Sequence, residues 1–100
     1  MTNEMKLEGT KLTVLLSGRI DATSAPKLEE ELEAALGGVT ELILDLTNLE
    51  YISSAGLRVL LANQKKMNTQ GSMTLINVKD EIMEIFDVTG FSDILNIEAK

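Results

Sequence analysis

Hydrophobic residues recur along this chain with two different periods. From Met5 to Glu8 and again from Lys11 to Ser17 ("KLTVLLS") apolar and polar residues alternate, which predicts two strands. Gly9-Thr10 between them breaks the alternation, as in a β-hairpin. Gly18-Arg19-Ile20-Asp21 leads out of the second strand. The period then lengthens: Ala25, Leu28, Leu32, Ala35 and Leu36 step by three and four, opposite Glu29, Glu30 and Glu33. That stripe predicts a helix, with Thr23 or Ser24 as N-cap, Pro26 in the first turn and Gly37-Gly38 at its end.

Residues 39–46 ("VTELILDL") are apolar at nearly every position from Leu42 to Leu46. Such a run suits a strand covered on both faces, in the middle of a sheet. At Ser53-Ser54 the pattern changes again, opening a second helix through about Met67 with Leu57, Leu60, Leu61 and Gln64 at helical spacing. "NTQGS" (68–72) breaks it. Met73–Val78 reads as a strand, and Asp80–Val88 as a third helix with Ile82, Ile85 and Phe86 inward and Gly90 as C-cap. Ile94–Ile97 suits a last short strand or a continuation of helix equally well. The order β-β-α-β-α-β-α predicts an α/β fold, a mixed sheet with helices packed on it. No linker or internal repeat divides residues 1–100, so one domain is expected.

Composition narrows the chemistry. The chain has 100 residues, no cysteine and no histidine. Disulfides, thiolate chemistry and cysteine metal sites are thereby excluded, and with histidine go the usual general base and the commonest metal ligand. No cofactor or metal site is expected. Only 3% of residues are aromatic, so the core must be Leu, Ile, Val, Ala and Met. A net charge of −7 repels nucleic acid and anionic membrane, neither of which is an expected partner. "MTNEMKLEG" lacks the features of a signal peptide, and no apolar run approaches the roughly 20 residues that span a bilayer. A soluble, cytoplasmic protein is expected.

The junction "EYISSAGLRVLLA" (50–62) holds the candidate chemistry. Serine is a good N-cap, because its oxygen accepts from an unsatisfied first-turn N–H, and capping alone explains a serine there. A catalytic serine would need a base and the Gly-x-Ser-x-Gly setting. Ser54 has Ile52 and Gly56 at those positions, and Lys65 and Lys66 lie three turns down the helix. A phosphate-binding loop would need Gly-Lys-Ser/Thr, which is absent. A third reading makes the hydroxyl a substrate. A helix N-terminus favours an anion, phosphorylation adds about −1.5 to −2 charges, and Arg58 stands four residues after Ser54. A solvated Arg58 with no such role is the simpler alternative.

"LDLTNLEYISSAGLRVLL", with "SGRIDATSAPKLEEEL" upstream, resembles the STAS domain of bacterial anti-sigma factor antagonists over essentially the whole chain. The shared features are Gly18, Ile20 and Asp21 in the Gly-x-Ile/Leu-Asp turn, the central strand, the serine-glycine-leucine junction, and "FDVTGF" near the end. The resemblance implies a STAS-like α/β domain with a mixed sheet of four to five strands and three to four helices. It also implies a non-enzymatic antagonist that binds an anti-sigma factor with serine kinase activity and so releases a sigma factor. Phosphorylation by that kinase would switch it off, and a serine phosphatase would restore it.

In the family the junction commonly reads Asp-Ser-Ser/Thr-Gly-Leu. Matching on Gly56-Leu57 puts the phosphoacceptor at Ser54, the aspartate position at Ser53 and the second hydroxyl position at Ala55. Both of those flanking groups are therefore missing here. Asp21 matches the family's other acidic position, and a turn residue at the start of a helix explains it equally. Asp21, Ser53, Ser54, Ala55, Gly56 and Arg58 are the expected partner-binding residues, gathered on one exposed surface where the second helix begins. Glycine is a poor helix former at position 56, which suggests close approach of a partner backbone or of a neighbouring element; Gly56→Ala is expected to keep or raise stability while weakening partner binding. The alternative from another class is a non-catalytic STAS-like subunit of a lipid-trafficking transporter or a stressosome-type scaffold.

Overall fold

The computed structural model describes residues 1–98. Strands β1 (Thr2–Glu8) and β2 (Lys11–Ile20) form the hairpin, turning at Gly9, whose φ of +63° is a conformation glycine adopts freely. Helix α1 (Ala25–Ala35) leads to β3 (Glu41–Ile52), α2 (Ser54–Gln70) to β4 (Ser72–Ile76), and α3 (Asp80–Thr89) to a short 3-10 turn at Phe91–Asp93. The sheet order is β1-β2-β3-β4, with β1 antiparallel to β2 and the other two pairings parallel. The mixed α/β sheet matches the sequence expectation.

Both crossovers, β2-α1-β3 and β3-α2-β4, step the same way across the sheet. Right-handed crossovers of that kind place their helices on the same face. Burial follows: Leu12, Val14, Leu16, Leu42, Leu44, Leu46, Met73 and Leu75 are buried with Leu28, Leu32, Leu57, Leu60, Ile82 and Phe86. On the opposite face Thr13, Leu15, Ile43, Asp45, Thr74 and Ile76 are only half-buried. Strand β3 is therefore interior to the sheet but covered on one face, which corrects the expectation of two covered faces. Ile43 and Leu15 supply apolar residues to the open face and make the run look continuous.

β3 also runs six residues further than its apolar run, to Ile52. Two register shifts against β2, between Leu15 and Ser17 and between Gly18 and Arg19, insert extra residues on β3. Bulges of this kind break the alternation on which a sequence reading depends. They bring Ile20 and Ile52 side by side into the core at the strand ends.

The "NTQ" of "NTQGS" continues α2. The Gln70 side-chain amide donates to the carbonyls of Leu36 and Val39, each at 2.6 Å, and holds the last turn. The helix stops at Gly71, where a Cβ would lie 1.8 Å from the Thr40 carbonyl oxygen. Ile94–Ile97 is neither a regular strand nor a longer helix. Leu95 enters the core, and Ile97 makes one bridge to Leu75 at the outer edge of β4.

Candidate functional site

The C-terminal ends of β2 and β3 lie side by side, and the chain leaves each of them into a helix. The Ser53 N–H donates to the Ile20 carbonyl at 2.8 Å, continuing the parallel ladder one step past the strands. Asp21 follows Ile20 and Ser53 follows Ile52, so the two residues sit on neighbouring strand ends, roughly one strand spacing (about 4.8 Å) apart.

Asp21 organises the approach to α1. One carboxylate oxygen accepts from the Thr23 hydroxyl (2.6 Å), the Thr23 N–H (3.0 Å) and the Ser24 N–H (3.2 Å). Its carbonyl accepts from the Ala25 N–H at 2.8 Å. Ser24 occupies the N-cap position without capping through its side chain. Its hydroxyl instead donates to the Arg19 carbonyl and accepts from the Asp21 N–H, both at 3.0 Å. The Thr23 hydroxyl bond, with the backbone N–H bonds of Thr23 and Ser24, holds the Asp21 carboxyl below the ordinary aspartate range. Asp21 is thus ionised and fixed in orientation beside the serine junction.

The two serines divide their tasks. Ser53 is the N-cap of α2 in extended backbone, with its hydroxyl oxygen 3.5 Å from the Gly56 N–H it accepts from. Its backbone is tied to β2, and its side chain is half-buried. Ser54 is the first residue of the helix, and it is exposed. Among the described residues its hydroxyl takes part in no hydrogen bond. Four residues on, Arg58 is exposed and makes no ion pair among the described residues. Arg58 and the half-buried Ala55 share the wall of a cleft of about 530 Å³ between α1 and α2, faced by Ala25, Pro26 and Glu29. The cleft belongs to the packing of two helices and is not legible in the pattern of either one alone.

Gly56 differs from its expected place. It is buried, and a Cβ there would lie 2.6 Å from Ile52 Cγ1 and 2.7 Å from Ile20 Cγ2. The missing side chain lets the first turn of α2 seat on the paired strand ends, inside the protein. Gly56 is therefore a packing residue beneath the surface that Ser54 exposes, and these contacts predict that alanine costs stability there instead of adding it.

On the open face of the sheet the site continues into Arg19 and Tyr51, paired across β2 and β3. The guanidinium lies 4.4 Å from the ring centroid, a cation–π contact. Nothing in the local pattern marks the two as neighbours, because the bulges shift the register between them. Among the described residues there is no cluster of acidic side chains able to hold a metal, and no helix long and apolar enough to cross a membrane.

The family profile of the STAS domain matches residues 4–100. BtrV of Bordetella bronchiseptica, a candidate anti-sigma factor antagonist, is 38% identical over 94 residues, covering 92% of this chain and 80% of BtrV. The anti-sigma-B factor antagonist of Bacillus subtilis is 34% identical over 98 residues, covering 97% of this chain and 90% of the relative. Among solved structures, the anti-sigma factor antagonist SpoIIAA in its unphosphorylated form superposes with a TM-score of 0.82. It is 16% identical, with 99% of this chain and 90% of SpoIIAA covered. The phosphorylated form of the Bacillus SpoIIAA superposes with a TM-score of 0.75 at the same identity, covering 99% and 93%.

Proposed function

The chain belongs to the STAS-domain family of anti-sigma factor antagonists, non-catalytic regulators controlled by phosphorylation, and we propose that Ser54 is the residue at which this one is switched. On this reading residues 1–100 work as a single unit in the cytoplasm. The unphosphorylated form binds an anti-sigma factor that is also a serine kinase, releasing a sigma factor. The kinase places a phosphate on Ser54, and a serine phosphatase removes it.

The observation that carries the reading is the division between the two serines. Ser53 is engaged in the cap and in the ladder to β2, whereas Ser54 offers a free, exposed hydroxyl on the first turn of α2. Asp21 and Ser53 at the neighbouring strand ends, with Ala55 and Arg58 on the start of α2, are the partner surface on this reading, and Gly56 packs beneath it. The family's acidic residue is replaced by Ser53, so Asp21 is the carboxylate left to face the kinase.

A phosphate at a helix N-terminus is stabilised by about 0.3–1 kcal/mol, so the modified domain stays folded. Its effect falls on the interface. A dianion beside ionised Asp21, on a chain of charge −7, must be desolvated against the partner and opposes like charges. A hundredfold loss of affinity needs only about 2.8 kcal/mol. The test is titration of the anti-sigma factor with variants. Ser54→Ala is expected to bind constitutively, and Ser54→Asp to fold equally well and bind about a hundredfold more weakly. A Ser54→Asp variant as tight as wild type would overturn the proposal.

A further inference from the structure

The two edges of the sheet are treated differently. At β4 the C-terminal segment closes the edge: the Leu75 N–H donates to the Asn96 carbonyl and the Glu98 N–H to the Leu75 carbonyl, each at 2.9 Å. At the other edge, β1 pairs with β2 alone among the described strands, leaving the backbone groups of alternate residues along its seven-residue length pointing outward. An open edge of that length is a template for another strand. Met5 and Leu7, on the helix-facing side of β1, are 37% and 62% exposed.

We propose that this edge pairs with a second copy of itself, joining two four-stranded sheets into one antiparallel eight-stranded sheet about a two-fold axis through Met5. Charge and length select the register. With Met5 opposite Met5 of the second copy, all seven residues of Thr2–Glu8 overlap, Asn3 faces Leu7, and Glu4 faces Lys6 twice. A shift that centres the axis on Lys6 sets Lys6 against Lys6 and Glu4 against Glu8. A shift that centres it on Glu4 sets Glu4 against itself. Each of those registers shortens the overlap and opposes like charges, which is destabilising across strands. Lys6 lies 4.0 Å from Glu8 of its own strand, but of the three registers only the symmetric one sets it against an opposite charge across the edge.

The pairing leaves the serine junction free. Thr2 pairs with Ser17 near the C-terminal end of β2, and a two-fold axis normal to the sheet reverses the second copy. The two Ser54 surfaces therefore face outward at opposite ends of the joined sheet, giving a bivalent particle. One strand edge buries less than a standard interface, so the dimer is weak and concentration-dependent.

Sedimentation velocity from about 10 µM to about 1 mM tests this, a range matched to weak association. Wild type is expected to shift from monomer to dimer. Glu4→Lys and Lys6→Glu, both exposed, should each keep the far-UV spectrum and melting temperature while losing about tenfold in association. An equimolar mixture of the two variants should regain it, because every cross-strand charge pair is again opposite in sign. The chain has no cysteine, so Met5→Cys gives a clean register test. Cysteines on the axis should form an intermolecular disulfide on oxidation, well ahead of Leu7→Cys. A wild type that stays monomeric throughout, a mixture that fails to recover association, or faster cross-linking at Leu7→Cys would overturn the proposal.

Discussion

Replacing Gly56 by alanine adds one methyl group at the point where α2 meets the ends of β2 and β3. Two opposing effects follow. Alanine favours the helical backbone over glycine by about 1 kcal/mol. Against that, the new Cβ would stand 2.6 Å from Ile52 Cγ1 and 2.7 Å from Ile20 Cγ2, with Ile52 Cδ1 at 3.2 Å. Ordinary carbon contacts need roughly 3.5–4.0 Å, so close to 1 Å must be found. Neither isoleucine yields cheaply: both are buried at 0–1% exposure on paired strands, and a Cγ moves only with its χ1 or its backbone. Overpacking of this kind costs about 1–3 kcal/mol, and two contacts this short argue for its upper half. The net expectation is a loss of about 1–2 kcal/mol, or a melting temperature lower by about 5–15 °C for a domain of this size. Urea and thermal unfolding of the two proteins measure it. If α2 instead lifts to make room, Ser54 moves with it, and phosphorylation slows even where the domain stays folded. A Gly56→Ala protein as stable as wild type or more so would refute the packing argument.

Three further outcomes follow from the site. Ser53→Ala removes a cap whose bond is long at 3.5 Å, so it should cost only about 0.5–1 kcal/mol by urea unfolding and leave the protein a kinase substrate. Asp21→Asn removes a charge whose native pKa lies below the ordinary value of about 3.9. Its stabilising contribution is present above that value and lost as pH falls through the native pKa. Wild-type and variant stabilities should therefore differ at pH 7 and converge on acidification; a constant gap would exclude a charge effect. Arg58→Ala should leave the melting temperature of the unmodified protein unchanged and lower only that of the phosphorylated form, whereas equal shifts in both would remove Arg58 from any pairing with the phosphate.

The parts of the fold carried by period alone were legible in the sequence. The alternation of "KLTVLLS" and the three-four spacing of Leu28, Leu32 and Leu36 depend on which face is buried, and that is written residue by residue. What escaped depends on distant residues meeting. The reach of β3 to Ile52 is hidden by bulges that only the pairing with β2 reveals. The last turn of α2 rests on Gln70 bonding to carbonyls some thirty positions earlier. At the site, only the motif resemblance, and no local period, relates Asp21 to Ser53. That Ser53 caps while Ser54 is exposed depends on the one-residue difference between N-cap and first helical position, which period does not resolve. At Gly56 the missing side chain is legible in the sequence, as a glycine inside a helix. What occupies the space was legible only once Ile20 and Ile52 were seen side by side.

The most direct test of the central claim is the position of the phosphate. The protein is incubated with its anti-sigma serine kinase and ATP, digested, and the modified peptide spanning residues 50–62 sequenced by mass spectrometry. The account predicts a single phosphate on Ser54, kept in Ser53→Ala and absent from Ser54→Ala. Phosphate on Ser53, or undiminished phosphorylation of Ser54→Ala, would contradict it.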